Sequence, residues 1–143
     1  EDMTRFLISL DQAVDTIFAA VQGGKRGETY IPRVPAAKMT DLARALIGDR
    51  PIDIQVTGIR PGEKVHEILI SEEERHRSVD RGNYYAIQPI LPELRSADDH
   101  PANLDGEYSS ATDLMTLEET RALLKQKRLM LEDVDASEGE LLR

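Results

Sequence analysis

Ile52-Asp53-Ile54-Gln55-Val56-Thr57-Gly58-Ile59-Arg60-Pro61-Gly62-Glu63-Lys64 is the stretch on which the fold reading turns. Ile52, Ile54 and Val56 alternate with polar residues, the period of a half-buried strand. The Pro61-Gly62 pair follows at once and predicts a turn. A strand that ends in a turn bearing Arg60 is the kind of place where α/β proteins open a ligand crevice. Pro61 restricts the backbone of Arg60, and a planar guanidinium suits two phosphate oxygens. Glu63 cannot bind phosphate, but it can accept from a sugar hydroxyl or orient Arg60. The same run also reads as a plain turn with solvated charges, and spacing alone leaves both open.

Outward from that corner, helix and strand patterns mix. Toward the amino terminus, Met3 to Ile8 is strand-like, and Ser9 with Gln12 forms a capping box. Leu10, Val14, Ile17, Phe18 and Val21 then fall on one helical face, and Gly23-Gly24 stops the helix. A short strand is predicted over Glu28 to Ile31, and a second helix over Ala37 to Ile47 with Met39, Leu42, Ala43 and Leu46 inward. Beyond the corner, Val65, Ile68 and Leu69 have helical spacing, Ser71 to Arg77 reads as a solvated helical end or loop, and Tyr84 to Gln88 reads as a strand. Leu91 to Gly106 is predicted to be a long loop. Thr116 and Glu119 open a last helix with Leu117, Leu123 and Leu124 on one side. The class is α/β or α+β, with too few strands for a complete doubly wound sheet. The expected division is a domain over 1–129 and an acidic, disordered tail over 130–143.

Composition narrows the function. The 143 residues carry a net charge of −9, which disfavours general nucleic-acid binding. Cysteine is absent, so disulfides and thiolate chemistry are excluded. No apolar run reaches the roughly 18 residues of a membrane span, and no signal-peptide pattern opens the chain. A soluble cytoplasmic protein is the expectation. The chain begins on Glu1, beside a strand-like segment, which reads as a piece of something longer.

Other candidate residues are few. Arg5, in the first strand, can meet a phosphate or be an exposed edge residue. Glu107-Tyr108-Ser109-Ser110 can line a sugar pocket or satisfy local turns. His66 and Glu67 lack the second histidine of a helical zinc motif. No dinucleotide fingerprint occurs, and Gly23-Gly24-Lys25-Arg26-Gly27 follows a helix rather than a strand. No Tyr is followed four residues later by Lys.

Three runs together carry a resemblance: Met3-Thr4-Arg5-Phe6 with Leu10 and Ala13-Val14; Gly27-Glu28-Thr29-Tyr30-Ile31-Pro32; and Gly58 through Glu67. Over residues 3 to 125 the chain resembles the second half of extended short-chain dehydrogenase/reductases acting on UDP-sugars. It is most similar to UDP-N-acetylglucosamine 4,6-dehydratases of polysaccharide biosynthesis, including capsule enzymes that also epimerise C5. Glu107 to Ser110 and the Thr116 helix resemble the end of the soluble, inverting members. The resemblance implies an α/β fragment: the carboxy-terminal substrate-binding portion of that fold, without the Rossmann half. It implies that Arg5 and Arg60 contact the UDP pyrophosphate, that Glu63 holds the nucleotide or positions Arg60, and that Tyr108 and Ser109 lie near the substrate. The whole enzyme is implied to use NADP or NAD, which the missing half binds together with the catalytic residues. This chain alone is expected to hold no cofactor and no catalytic residue. The implied partners are UDP-N-acetylglucosamine or a similar UDP-sugar, and the missing half or further copies of the chain. The alternatives are a non-catalytic oligomerisation module and a fragment of a related UDP-sugar epimerase or reductase.

Overall fold

In the computed structural model, residues 2–95 and 100–133 are described. Three small antiparallel sheets organise them. β1 (Thr4–Phe6) pairs with β3 (Ala36–Lys38), β6 (Tyr84–Ile87) lies between β2 (Thr29–Pro32) and β5 (Ser78–Asp80), and β4 (Ile68–Ile70) pairs with β7 (Tyr108–Ser109). The helices are α1 (Leu10–Gly23), α2 (Met39–Ile47), α3 (Glu72–Arg75) and α4 (Leu117–Gln126). The mixed helix–strand class is as the sequence reads.

Local capping chemistry sets three of the four described α-helix starts. The Ser9 side chain caps α1 and Gln12 returns the bond to the Ser9 N–H. Thr116 and Glu119 do the same for α4, and Ser71 and Glu74 for α3. Each box satisfies two backbone donors that a helix start otherwise leaves open.

Two apolar clusters form the core. Ile31, Ile70 and Ile87 are buried together, with Leu69, Tyr85, Leu104 and Tyr108 against them. Ala45, Leu124 and Met130 are buried between α2 and α4. Met130, at the start of the predicted tail, thus packs in a core, and Leu131–Asp133 form a 3-10 turn; positions 134–143 of that tail lie outside the described residues.

Four expectations are corrected. Residues 51–65 are exposed throughout and form no strand. A strand needs a neighbour for its N–H and C=O groups, and among the described residues no ladder pairs with 52–56. The predicted helix over Val65 to Leu69 is instead β4. Its Ile68 and Ile70 share strand period, and Ile70 is fully buried opposite Tyr108; a short apolar run does not separate the two periods. The second helix starts two residues later than predicted, because Ala36–Lys38 pairs with β1. The long loop includes a 3-10 turn over Pro92–Leu94. Positions 96–99 of that loop lie outside the described residues.

The apolar row of α1 faces outward. Leu10 is 81% exposed and Val21 77%, and α1 buries no residue. No described helix is long and apolar enough to cross a membrane.

Candidate functional site

Arg60-Pro61-Gly62-Glu63 closes as a β-turn. The Glu63 N–H donates to the Arg60 carbonyl (3.1 Å), and Gly62 has φ 87°. Pro at the second position and a left-handed Gly at the third are the requirements of a type II turn. A Glu63 carboxylate oxygen then accepts the Arg60 N–H at 3.0 Å. Glu63 therefore braces the backbone of Arg60. The Arg60 side chain is exposed, and none of its guanidinium hydrogens is engaged among the described residues.

Arg5 is held differently. Its Nη1 donates to the carbonyls of Thr4 (2.7 Å) and Val65 (3.3 Å), and its Nη2 to that of Lys64 (3.0 Å). Nε lies 3.6 Å from a Glu67 carboxylate oxygen. Five guanidinium hydrogens are available, so a second Nη2 hydrogen lies outside these bonds. The fold thus packs Arg5 onto the segment that begins where the Arg60 turn ends.

Beneath this contact lies a buried polar node that the sequence reading missed. Thr4 is 1% exposed and Ser110 is fully buried. Thr4 Oγ1 is 2.8 Å from His66 Nδ1 and 2.7 Å from Ser110 Oγ. The Glu67 N–H donates to Ser110 Oγ (2.8 Å), and the Ser110 N–H donates to the Glu67 carbonyl (2.8 Å). By type and spacing His66 suggests only a metal ligand, and nothing in the spacing of Thr4 and Ser110 pairs them.

Tyr108 and Ser109 serve local structure. The Tyr108 hydroxyl donates to the Val34 carbonyl and accepts from the Val34 N–H, both at 2.9 Å. Its ring sits 5.0 Å from Phe6 and 5.4 Å from Tyr85. Ser109 is buried; its hydroxyl accepts the Ala111 N–H (3.3 Å) and its carbonyl the Thr112 N–H (3.1 Å). Tyr108 also borders a cleft of about 460 Å³ that Arg33, Tyr85, Glu107 and Asp113 help to line. Arg33 stacks over Tyr85, with Cζ 4.0 Å from the ring centroid.

Tyr108→Phe should cost about 1–2 kcal/mol, because it orphans both Val34 backbone groups; the midpoint of urea unfolding measures it. Burial holds the Tyr108 phenol above its ordinary value of 10.0, outweighing the Val34 bond that lowers it. That share of stability is whole below pH 10 and is lost as pH rises through the raised folded value. The alkaline loss should shrink in Tyr108→Phe.

Comparisons with known proteins give the family. Residues 1–89 match the model of a family described as polysaccharide biosynthesis protein. The chain belongs to the polysaccharide biosynthesis protein family. The matched residues hold Thr4, Arg5, Arg60, Glu63 and His66. Over 105 residues the chain is 40% identical to a UDP-N-acetylglucosamine 4,6-dehydratase (inverting) of Campylobacter jejuni subsp. jejuni serotype O:2. That match takes in 73% of this chain and 31% of the relative. Over 130 residues it is 36% identical to a UDP-glucose 4-epimerase of Rickettsia bellii (strain OSU 85-389), spanning 85% of this chain and 38% of the relative. The X-ray structure of Pen from Bacillus thuringiensis superposes with a TM-score of 0.78 at 28% identity, over 90% of this chain and 40% of that one. This member of the polysaccharide biosynthesis protein family therefore spans about a third of the length of the curated relatives it matches.

Proposed function

We propose that the chain is the UDP-sugar-binding portion of a cytoplasmic nucleotide-sugar 4,6-dehydratase of surface polysaccharide biosynthesis. Arg5 and Arg60 grip the diphosphate, Glu63 braces Arg60, and Tyr108 and Ser109 support the substrate loop. The observation that carries the reading is the packing of Arg5 onto Lys64, Val65 and Glu67, directly after the Arg60 turn. The strand that carries Arg5 thus lies against residues 64–67, which follow the turn that carries Arg60. The substrates in the relatives' names, UDP-N-acetylglucosamine and UDP-glucose, share a UDP diphosphate.

Chemistry on the sugar belongs to the remainder of a whole enzyme, which would bring NADP or NAD. The residues here do not fit a dinucleotide. Their glycine-rich run, Gly23 to Gly27, closes the carboxy-terminal end of α1, where the Gly24 N–H is already bonded to the Ala20 carbonyl (2.9 Å). A helix carboxy terminus repels a pyrophosphate. The chain would contribute binding energy from the remote UDP, which a whole enzyme can use to orient the reacting sugar.

A second reading has its own observation. The apolar face of α1 is exposed, and Met3, Met39, Ile54, Val56, Ile59 and Val65 help to line an open groove of about 390 Å³. Exposed apolar surface of this kind favours association, as in a non-catalytic oligomerisation module. Calorimetric titration with UDP and with uridine separates the two. The substrate reading expects saturable binding of UDP and much weaker binding of uridine, which lacks the diphosphate. The second expects no UDP binding and a concentration-dependent oligomer in sedimentation.

A further inference from the structure

We infer that Thr4 is a positioning residue, whose buried hydroxyl fixes the strand carrying Arg5 to the segment that follows Arg60. The inference rests on the diphosphate reading above and deepens it. Thr4 makes three bonds to two other segments. Its N–H donates to the Val65 carbonyl at 3.0 Å, and its hydroxyl meets His66 and Ser110. Ser110 in turn is tied to Glu67 through both its hydroxyl and its N–H. One hydroxyl therefore joins β1, residues 65–67 and the residue after β7. Those segments carry Arg5, adjoin the Arg60 turn and carry Tyr108 and Ser109.

Counting hydrogens gives the node a direction. Ser110 Oγ already accepts from the Glu67 N–H. If His66 Nδ1 is bare, Ser110 donates to Thr4, Thr4 donates to His66, and every hydrogen has a place. If Nδ1 carries the proton, it donates to Thr4 and Thr4 to Ser110, which leaves the Ser110 hydrogen with no acceptor in the node. Ser110 is fully buried, so that arrangement is penalised. The arrangement that places every hydrogen is the one in which Nδ1 accepts from Thr4. A valine at position 4 keeps the shape of the side chain but leaves the Ser110 hydroxyl hydrogen and Nδ1 without their Thr4 partner. The strand can then shift, and Arg5 is the next residue along it.

Thr120 supplies a matched control. It is also fully buried with a bonded hydroxyl, but its bond (2.8 Å) goes to Thr116 in its own helix start, away from these segments.

The test compares the whole chain with Thr4→Val, Thr4→Ser and Thr120→Val. UDP affinity is read by calorimetry at a temperature where all are folded, and exchange of the Arg5 Nε–H is read by nitrogen-15 NMR. Thr4→Val is expected to weaken UDP binding about tenfold, equivalent to about 1.4 kcal/mol, and to speed Arg5 exchange. Thr4→Ser should restore both, and Thr120→Val should change neither while lowering the melting temperature. Unchanged UDP affinity in Thr4→Val, or an equal loss in Thr120→Val, overturns the inference. If the unaltered chain takes up no UDP, the diphosphate reading fails alone. The Arg5 exchange then decides for Thr4: faster in Thr4→Val only supports it, and equal rates overturn it. Should Thr4→Val not fold, Ser110→Ala, which removes the first donor of the relay, is read by the same two outcomes.

Discussion

Arg60→Ala should weaken UDP binding by about 10- to 100-fold. A hydrogen bond from a charged donor is worth about 1.5–3 kcal/mol, and each 1.4 kcal/mol is about tenfold in affinity. The Arg60 guanidinium is exposed at the tip of a braced turn, with its backbone bonded to Glu63 on both sides. Removing the side chain therefore leaves the turn intact, and unfolding stability should stay within about 0.5 kcal/mol of the unaltered chain. Arg60→Lys should fall between the two, because an ammonium keeps the charge but loses the two-pronged fit to phosphate oxygens. Calorimetry with UDP, beside urea unfolding of each variant, checks both halves. Full UDP affinity in Arg60→Ala would remove Arg60 from the site.

The largest effect on stability is expected at Glu28. Its side chain is 2% exposed; one carboxylate oxygen accepts from Arg81 Nη2 at 2.8 Å and the other from the Lys25 N–H at 2.9 Å. Glu28 precedes β2 and Arg81 follows β5, the two outer strands of the sheet whose centre is β6. The pair thus clips the sheet across its middle strand. Glu28→Ala leaves the Arg81 charge without this partner in a site where its side chain is only 19% exposed. Breaking a buried pair from one side costs about 3–5 kcal/mol. Arg81 has further interactions, which places the expected cost near the lower end, about 3 kcal/mol. That is a large part of the roughly 5–15 kcal/mol that holds a domain folded. Circular dichroism during urea titration measures it. A midpoint that does not move would mean that the pair is solvated in solution.

The parts legible in the sequence are those decided by neighbours along the chain. Ser9 with Gln12 and Thr116 with Glu119 mark helix starts because both halves of a capping box lie within four residues. The Pro61-Gly62 turn follows from the φ values that those two residues adopt readily. Partners distant in sequence are not legible in the same way. Ile52, Ile54 and Val56 have strand period, yet pairing depends on a neighbour that the described residues do not provide. Val65, Ile68 and Leu69 match helical spacing, yet Tyr108–Ser109 recruits Ile68–Ile70 into a ladder.

The same division holds in the candidate site. Arg5 and Arg60 could be named from their local settings and from family resemblance. The Thr4–His66–Ser110 node could not, since its members are 62 and 106 positions apart in the chain. Tyr108 stands between the two cases. By sequence its hydroxyl is open to a sugar or to a local turn, and in the fold it is engaged by the Val34 backbone.

A crystal structure of the chain with UDP tests the central claim most directly. The account predicts the diphosphate oxygens within about 3.2 Å of guanidinium nitrogens of both Arg5 and Arg60. UDP seated elsewhere, with neither arginine touching its phosphates, would contradict it.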